Sequence, residues 1–96
     1  MAKAALLSDQ CSGHSCWPSR PNITASSDVI INGRGAQRVG DQYVVHCCPD
    51  SGCHPGAVIQ GSSTVFVNGR AVARIGDALD CGSIIMGPGS SNVDIG

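Results

Sequence analysis

Aromatic side chains are nearly absent: Trp17, Tyr43 and Phe66 are the only three in 96 residues. A chain this short has a marginal core even with ordinary composition, so a staple of disulfide or metal is expected to help hold it. Long apolar runs are also missing. Nothing approaches the roughly 20 residues of a membrane-spanning helix, and the run Ala4 to Leu7 is too short for a secretory hydrophobic region. Synthesis in a cytoplasm without a signal peptide is therefore expected. Charge of one sign is lacking too. Six basic and seven acidic residues leave a net charge of −1, which excludes a strongly basic nucleic-acid binder. No phosphate-cradling or dinucleotide glycine pattern occurs; "NGRGAQRVG" has the wrong spacing and a hairpin context. With five prolines and 13 glycines scattered along the chain, there is room for one helical turn at most.

What is present is a repeat. "SSDVIINGRGAQRVGD" (Ser26 to Asp41) recurs 36 residues later as "SSTVFVNGRAVARIGD" (Ser62 to Asp77), and "GSSNVDIG" (Gly89 to Gly96) matches the start of a third, truncated copy. Each full copy reads as a β-hairpin. A short β-branched or aromatic run leads into Asn-Gly, the pair suited to the positive φ angles of a type I′ turn. The return strand, "RGAQRV" or "RAVARI", carries two arginines four apart and ends at Gly-Asp. The expected fold is all-β, with short strands and three similar units in a pseudo-threefold body of one domain spanning residues 1–96.

The soft ligands adjoin these units. His14, His54 and Cys81 lie ahead of the three Ser-Ser copies, and His46 follows the first Gly-Asp. Three imidazoles and one thiolate are a common closed tetrahedral zinc set. A disulfide framework is the rival, with Cys11 and Cys16, or Cys47 or Cys48 with Cys53, as local bridges. A reducing cytoplasm favours metal over disulfides, and at least one of Cys47 and Cys48 then reads as a small buried hydrophobe. A cysteine nucleophile paired with histidine is a weak reading in so small a chain, and no enzymatic activity is expected. The segments 10–20, 44–56 and 79–84 are rich in Ser, Pro and Gly and are expected to be loops that only the metal supports.

The doubled "V-x-[IV]-N-G-R-x-x-x-R-[VI]-G-D", the three histidines, "CGS" at Cys81 and the closing "GSSNVDIG" resemble the PAAR-repeat proteins over nearly the whole chain. The naming tetrapeptide is degenerate here, Gly35-Ala36-Gln37-Arg38 and Ala71-Val72-Ala73-Arg74, with the flanking Asn-Gly-Arg and Gly-Asp intact. The resemblance implies a small conical β-structure capping a trimeric β-helical spike of a type VI secretion system or a contractile phage tail, one monomer per trimer. It implies one zinc ion near the point, on His14, His46, His54 and Cys81. The protein would be made in a bacterial cytoplasm, be a monomer alone and be delivered through a target envelope that it meets mechanically. Ser26, Ser27, Val29, Ser62, Ser63, Val65, Ser90, Ser91 and Val93 are the candidates for the partner-facing base. Two other roles compete: an adaptor that attaches effector cargo to the spike, and a free-standing zinc- or disulfide-stapled binding module.

Overall fold

The computed structural model describes residues 2–96, and no helix occurs among them. Ten strands follow one another: β1 (Ala2–Lys3), β2 (Gln10–Cys11), β3 (Ile30–Ile31), β4 (Arg34–Gly35), β5 (Gln42–Cys48), β6 (Gly52–Ala57), β7 (Phe66–Val67), β8 (Arg70–Ala71), β9 (Ile85–Gly87) and β10 (Asp94–Ile95). They pair antiparallel as β1–β10, β2–β9, β3–β4, β5–β6 and β7–β8. The body is elongated, with principal extents of 39 × 24 × 22 Å.

Both Asn-Gly turns form as the sequence indicates. Asn32 and Gly33 have φ of 53° and 80°, and Asn68 and Gly69 have 55° and 76°. Asparagine tolerates this left-handed region and glycine favours it, so the pair closes a type I′ turn matched to strand twist. The return strands are far shorter than expected. Each hairpin holds only two pairs, Ile30↔Gly35 and Ile31↔Arg34 in one, Phe66↔Ala71 and Val67↔Arg70 in the other. Ala36 and Val72 still bond back to their own units, donating to Val29 O and Val65 O and accepting from Ser26 N and Ser62 N, whereas from Gln37 and Ala73 onward the backbone pairs with a neighbouring unit.

The third unit is not truncated but split. β10 and β1 pair as Asp94↔Lys3 and Ile95↔Ala2, the register of the two Asn-Gly hairpins. The N-terminal segment thus supplies its return arm, with Asp9 in the place of Asp41 and Asp77. The three arms then close on one another. Leu7 N donates to Gly35 O (2.8 Å), Val39 N to Ala71 O (2.9 Å) and Ile75 N to Lys3 O (2.9 Å). A second ring runs from Ala5 N to Ala73 O, Ala73 N to Gln37 O and Gln37 N to Ala5 O, at 3.1, 2.9 and 3.0 Å. A closed ring leaves these backbone groups no edge to template further pairing.

Each Ser-Ser-x-Val segment makes the same local turn. Ser26 Oγ accepts from Asp28 N and Val29 N, Ser62 Oγ from Thr64 N and Val65 N, and Ser90 Oγ from Asn92 N and Val93 N. These three first serines are buried, so their hydroxyls serve the chain's own backbone. Among the other base candidates, Ser27, Ser63, Ser91 and Val29 are exposed, whereas Val65 and Val93 are half-buried. Val65 and Val93 pack with Ile31 and Val67 against Ala4, Val72 and Ile95, a small core under the hairpins. A second core, of Ala5, Cys11, Tyr43, Val58, Ala73, Leu79 and Ile85, lies on the other side of the ring and reaches Cys81. Asn22, in the chance glycosylation pattern Asn22-Ile23-Thr24, is buried and donates to Gln42 O.

The repeated arginines divide their work. Arg38 grips its own unit's Asp41 through Nε (2.9 Å) and NH2 (3.0 Å), and Arg74 grips Asp77 in the same way (3.0 and 2.9 Å). The first arginine of each repeat reaches across instead, Arg34 to Asp9 (3.0 Å) and Arg70 to Asp41 (3.2 Å). Charge-assisted bonds of this kind are the stronger class, and they hold Arg38 and Arg74 more firmly in the charged form.

Candidate metal centre

The segment "VHCCPDSGCH" is not the loop that its Pro, Ser and Gly content suggests. It forms β5 and β6, the longest strand pair in the molecule, with His46↔His54, Cys47↔Cys53 and Cys48↔Gly52 directly opposed. The turn Pro49–Ser51 is short enough to let a ladder form on either side of it. Two imidazoles therefore stand side by side on one face, with ring centroids 4.5 Å apart. His14 comes from a tight turn closed by His14 N to Trp17 O (3.0 Å) and Trp17 N to His14 O (2.8 Å). Its ring lies 5.0 Å from His46 and 5.1 Å from His54. Cys81 arrives on the turn after Leu79, fixed by Leu79 N to Ser83 O and by Asp80 N to Ala57 O, both 2.9 Å.

One ligand atom from each of His14, His46, His54 and Cys81 falls within 4.8 Å of all the others. The structure thus brings together the four residues singled out in the sequence. Their hydrogen bonding suits a metal. His46 Nδ1 is 2.8 Å from Pro18 O and His54 Nδ1 is 3.0 Å from Pro55 O. A carbonyl can only accept, so each Nδ1 carries the proton and each Nε2 presents its lone pair. The Nε2 atoms of His14 and His46 are buried and have no hydrogen-bond partner. A buried imidazole nitrogen without a partner is costly, and an ion at the centre of the four would satisfy both.

Burial pushes the His14 imidazole below its ordinary pKa, and the neighbouring His46 and His54 push it in the same direction. The native state therefore binds fewer protons than the unfolded chain as the pH falls through the unfolded histidine value, about 6.5. The metal-free protein should lose stability on going from pH 7.5 to 5.5. A lower urea midpoint at pH 5.5 is the expected result; an unchanged midpoint would contradict this balance.

Residues that the sequence reading passed over complete the surroundings. Trp17 stacks on His14 with centroids 4.9 Å apart and donates from Nε1 to Gly52 O (3.0 Å). Cysteines are paired, Cys16 with Cys48 and Cys47 with Cys53, where a set of reduced thiols was expected. Cys48 is buried, but as half of a disulfide and not as a lone small hydrophobe. Cys47–Cys53 is one of the three local bridges considered from sequence. Cys11, by contrast, is free and buried in the second core, not joined to Cys16. Cys16–Cys48 spans 32 residues and had no local signal.

Gly56 on β6 stands against the fourth ligand. A methyl group there would come within 3.0 Å of Cys81 Sγ and of Leu79 Cδ2. Gly56→Ala should therefore displace Cys81 without removing it and weaken metal binding about 10- to 100-fold, the range for groups that orient ligands. Competition with a chromogenic chelator measures it; an unchanged affinity would mean that Cys81 does not contribute.

A family model of the PAAR motif matches residues 12–87. The chain belongs to the PAAR-motif family. The PAAR motif implies a structural spike-tip role, in a secretion system or a phage tail. A comparison with curated proteins found no match. No helix among the described residues is long and apolar enough to cross a membrane.

Proposed function

We propose that residues 1–96 act as one unit, a monomer that caps the end of a trimeric β-helical spike, one copy per trimer, and that a zinc ion on His14, His46, His54 and Cys81 holds its point. The observation that carries this reading is the closed pseudo-threefold ring built by a single chain. A spike with three identical chains ends in three equivalent strand edges, which invite unwanted pairing. One chain that presents three similar hairpins can meet all three at once.

Zinc in a closed four-ligand set contributes cross-linking and not an open coordination position. Each histidine then has its task. Pro18 O and Pro55 O fix the tautomers of His46 and His54, Trp17 covers His14, and the second core carries the centre on the ring. Cargo carriage is not needed to account for any of these features.

On the hairpins, Ile30 and Phe66 are large apolar residues left more than half exposed, at 56% and 59%, beside the exposed Val29. They join Ser27, Ser63 and Ser91 as the contact set for the spike. The purified protein mixed with a trimeric spike fragment should run as a complex of one tip to three chains, and Phe66→Asp should abolish it while zinc stays bound. A tip that ignores the trimer, or a Phe66→Asp variant that binds unchanged, would sink this reading.

A further inference from the structure

The two disulfides flank the histidines, and the closed zinc site as proposed above does not use them. Cys47 and Cys53 are register partners with Cα atoms 4.0 Å apart, one step along the ladder from His46↔His54. Cys16, two residues after His14, is bonded to Cys48, two residues after His46. Every segment that carries a histidine ligand is therefore joined to the others by covalent bonds. Cys81 is outside this linked set and is held without any covalent tie, by the hydrogen bonds of its turn and by packing against the second core. The four bonded cysteines do not form a second metal site. Cys47 is exposed and Cys48 buried on opposite faces of β5, and no further group of ligating side chains converges among the described residues.

We propose that Cys16–Cys48 and Cys47–Cys53 are a redox lock on the three-histidine part of the centre. They close once the protein meets a disulfide-bearing oxidant, and they then keep zinc in place even when the Cys81 ligand is lost. The inference rests on the metal reading given above. Chemically, a thiolate such as that of exposed Cys47 attacks a small disulfide RSSR, forming a mixed disulfide and releasing one RSH. The thiol of Cys53 displaces the second RSH from that mixed disulfide. Two electrons pass from the cysteine pair to RSSR, and the two protons leave on the two RSH molecules. A second RSSR closes Cys16–Cys48 in the same way.

The energetic logic is that of a chelate. In the reduced chain, losing zinc frees the His14 turn to move from β5, so rebinding must reassemble three segments. In the oxidised chain the His14 segment, β5 and β6 stay joined, and the ordering cost is already met before the ion returns. Oxidation also removes four thiols that would compete for the ion. The prediction is one of coupling: the effect of losing Cys81 depends on the state of the other cysteines.

The test uses the full chain loaded with Zn²⁺, oxidised with a small disulfide or reduced with a phosphine, which does not bind zinc as a thiol reductant would. Alkylation after unfolding and mass measurement should find two free cysteines, Cys11 and Cys81, in the oxidised protein. Zinc release to a chromogenic chelator should be at least about 10-fold slower from the oxidised form than from the reduced form. Cys81→Ser should raise the release rate about 100-fold or more when reduced and under about 10-fold when oxidised. Cys16→Ser/Cys48→Ser in oxidising buffer should behave like the reduced protein; where that variant fails to fold, the phosphine arm gives the same comparison. Equal release from both forms, equal effects of Cys81→Ser, or six alkylated cysteines after oxidation would overturn the lock alone. A chain that holds no zinc in either form would overturn the metal centre and the lock with it.

Discussion

Asp41→Ala is expected to cost about 3–5 kcal/mol of stability, the range for removing one partner from a buried charge pair. Asp41 is buried and accepts from five groups: Arg38 N (2.7 Å), Arg38 Nε (2.9 Å), Arg38 NH2 (3.0 Å), Arg70 NH2 (3.2 Å) and Thr24 Oγ1 (3.1 Å). The substitution leaves the Arg38 side chain, only 13% exposed, without its counter-charge. It also cuts the cross-link that Arg70 makes from the second unit to the first. Domains of this size have only about 5–15 kcal/mol in total, so the variant should sit near its unfolding transition at room temperature.

Asp77 gives the internal control. It accepts from Arg74 alone within its unit, with no arginine from a neighbour, because Ala2 stands where Arg34 and Arg70 stand in the other two units. Asp77→Ala should therefore cost about 1–3 kcal/mol less than Asp41→Ala, the difference being the inter-unit charge-assisted bond from Arg70 and the Thr24 hydroxyl bond, both of which Asp77 lacks. Urea midpoints of the two variants decide it. Equal losses would mean that the arginines crossing between units add nothing, and that backbone bonds alone close the ring.

The split third unit shows where sequence reading stops. Its outgoing half, "GSSNVDIG", keeps the Ser-Ser-x-Val of the other two units, yet its return arm lies at the other end of the sequence and keeps only Asp9 of the Gly-Asp pair. At the glycine position stands Ser8, with φ of 76°, so the conformation persists where the residue does not. Deleting 93–96 is consequently no clean probe of the partner face. It removes Val93 O as the acceptor for Ala4 N, and the β1–β10 pair with it. The hairpin turns were legible because Asn-Gly is local chemistry. The shortness of the strands was not, since it depends on which unit the backbone meets next.

The four ligand candidates were legible for a related reason. Each stands at a definite place relative to a repeat, and the repeats fix where those places fall in space. The hairpin that presents His46 and His54 was obscured by Pro49, Gly52 and Pro55, which weigh against strands. The pairing of Cys16 with Cys48 depends on the closed fold, and a compartment argument pointed away from it. Composition can say that a staple is needed; it cannot say that two disulfides and a cluster of ligating side chains stand at one place.

Removing the proposed zinc should lower the melting temperature by roughly 15–30 °C while leaving the ring intact. An ion present at about a thousand times its dissociation constant stabilises by about 4 kcal/mol, and each kcal/mol shifts a domain of this size by about 4–8 °C. The loss should be local because support is uneven. The β5–β6 ladder has cross-strand pairs and Cys47–Cys53, and the His14 turn has Cys16–Cys48 and the Trp17 bond to Gly52 O. The Cys81 turn has neither disulfide nor packed aromatic, and its closing bond, Gly82 N to Leu79 O, is long at 3.4 Å. Hydrogen exchange on the oxidised, chelator-treated protein should therefore accelerate first at 80–84, next at 12–17 and least along β5 and β6. The ring amides of Ala5, Gln37 and Ala73 should exchange as slowly as before. If protection fell equally at the ring and at the Cys81 turn, zinc would be organising the whole fold, and the separation of a self-closed ring from a metal-held point would fail.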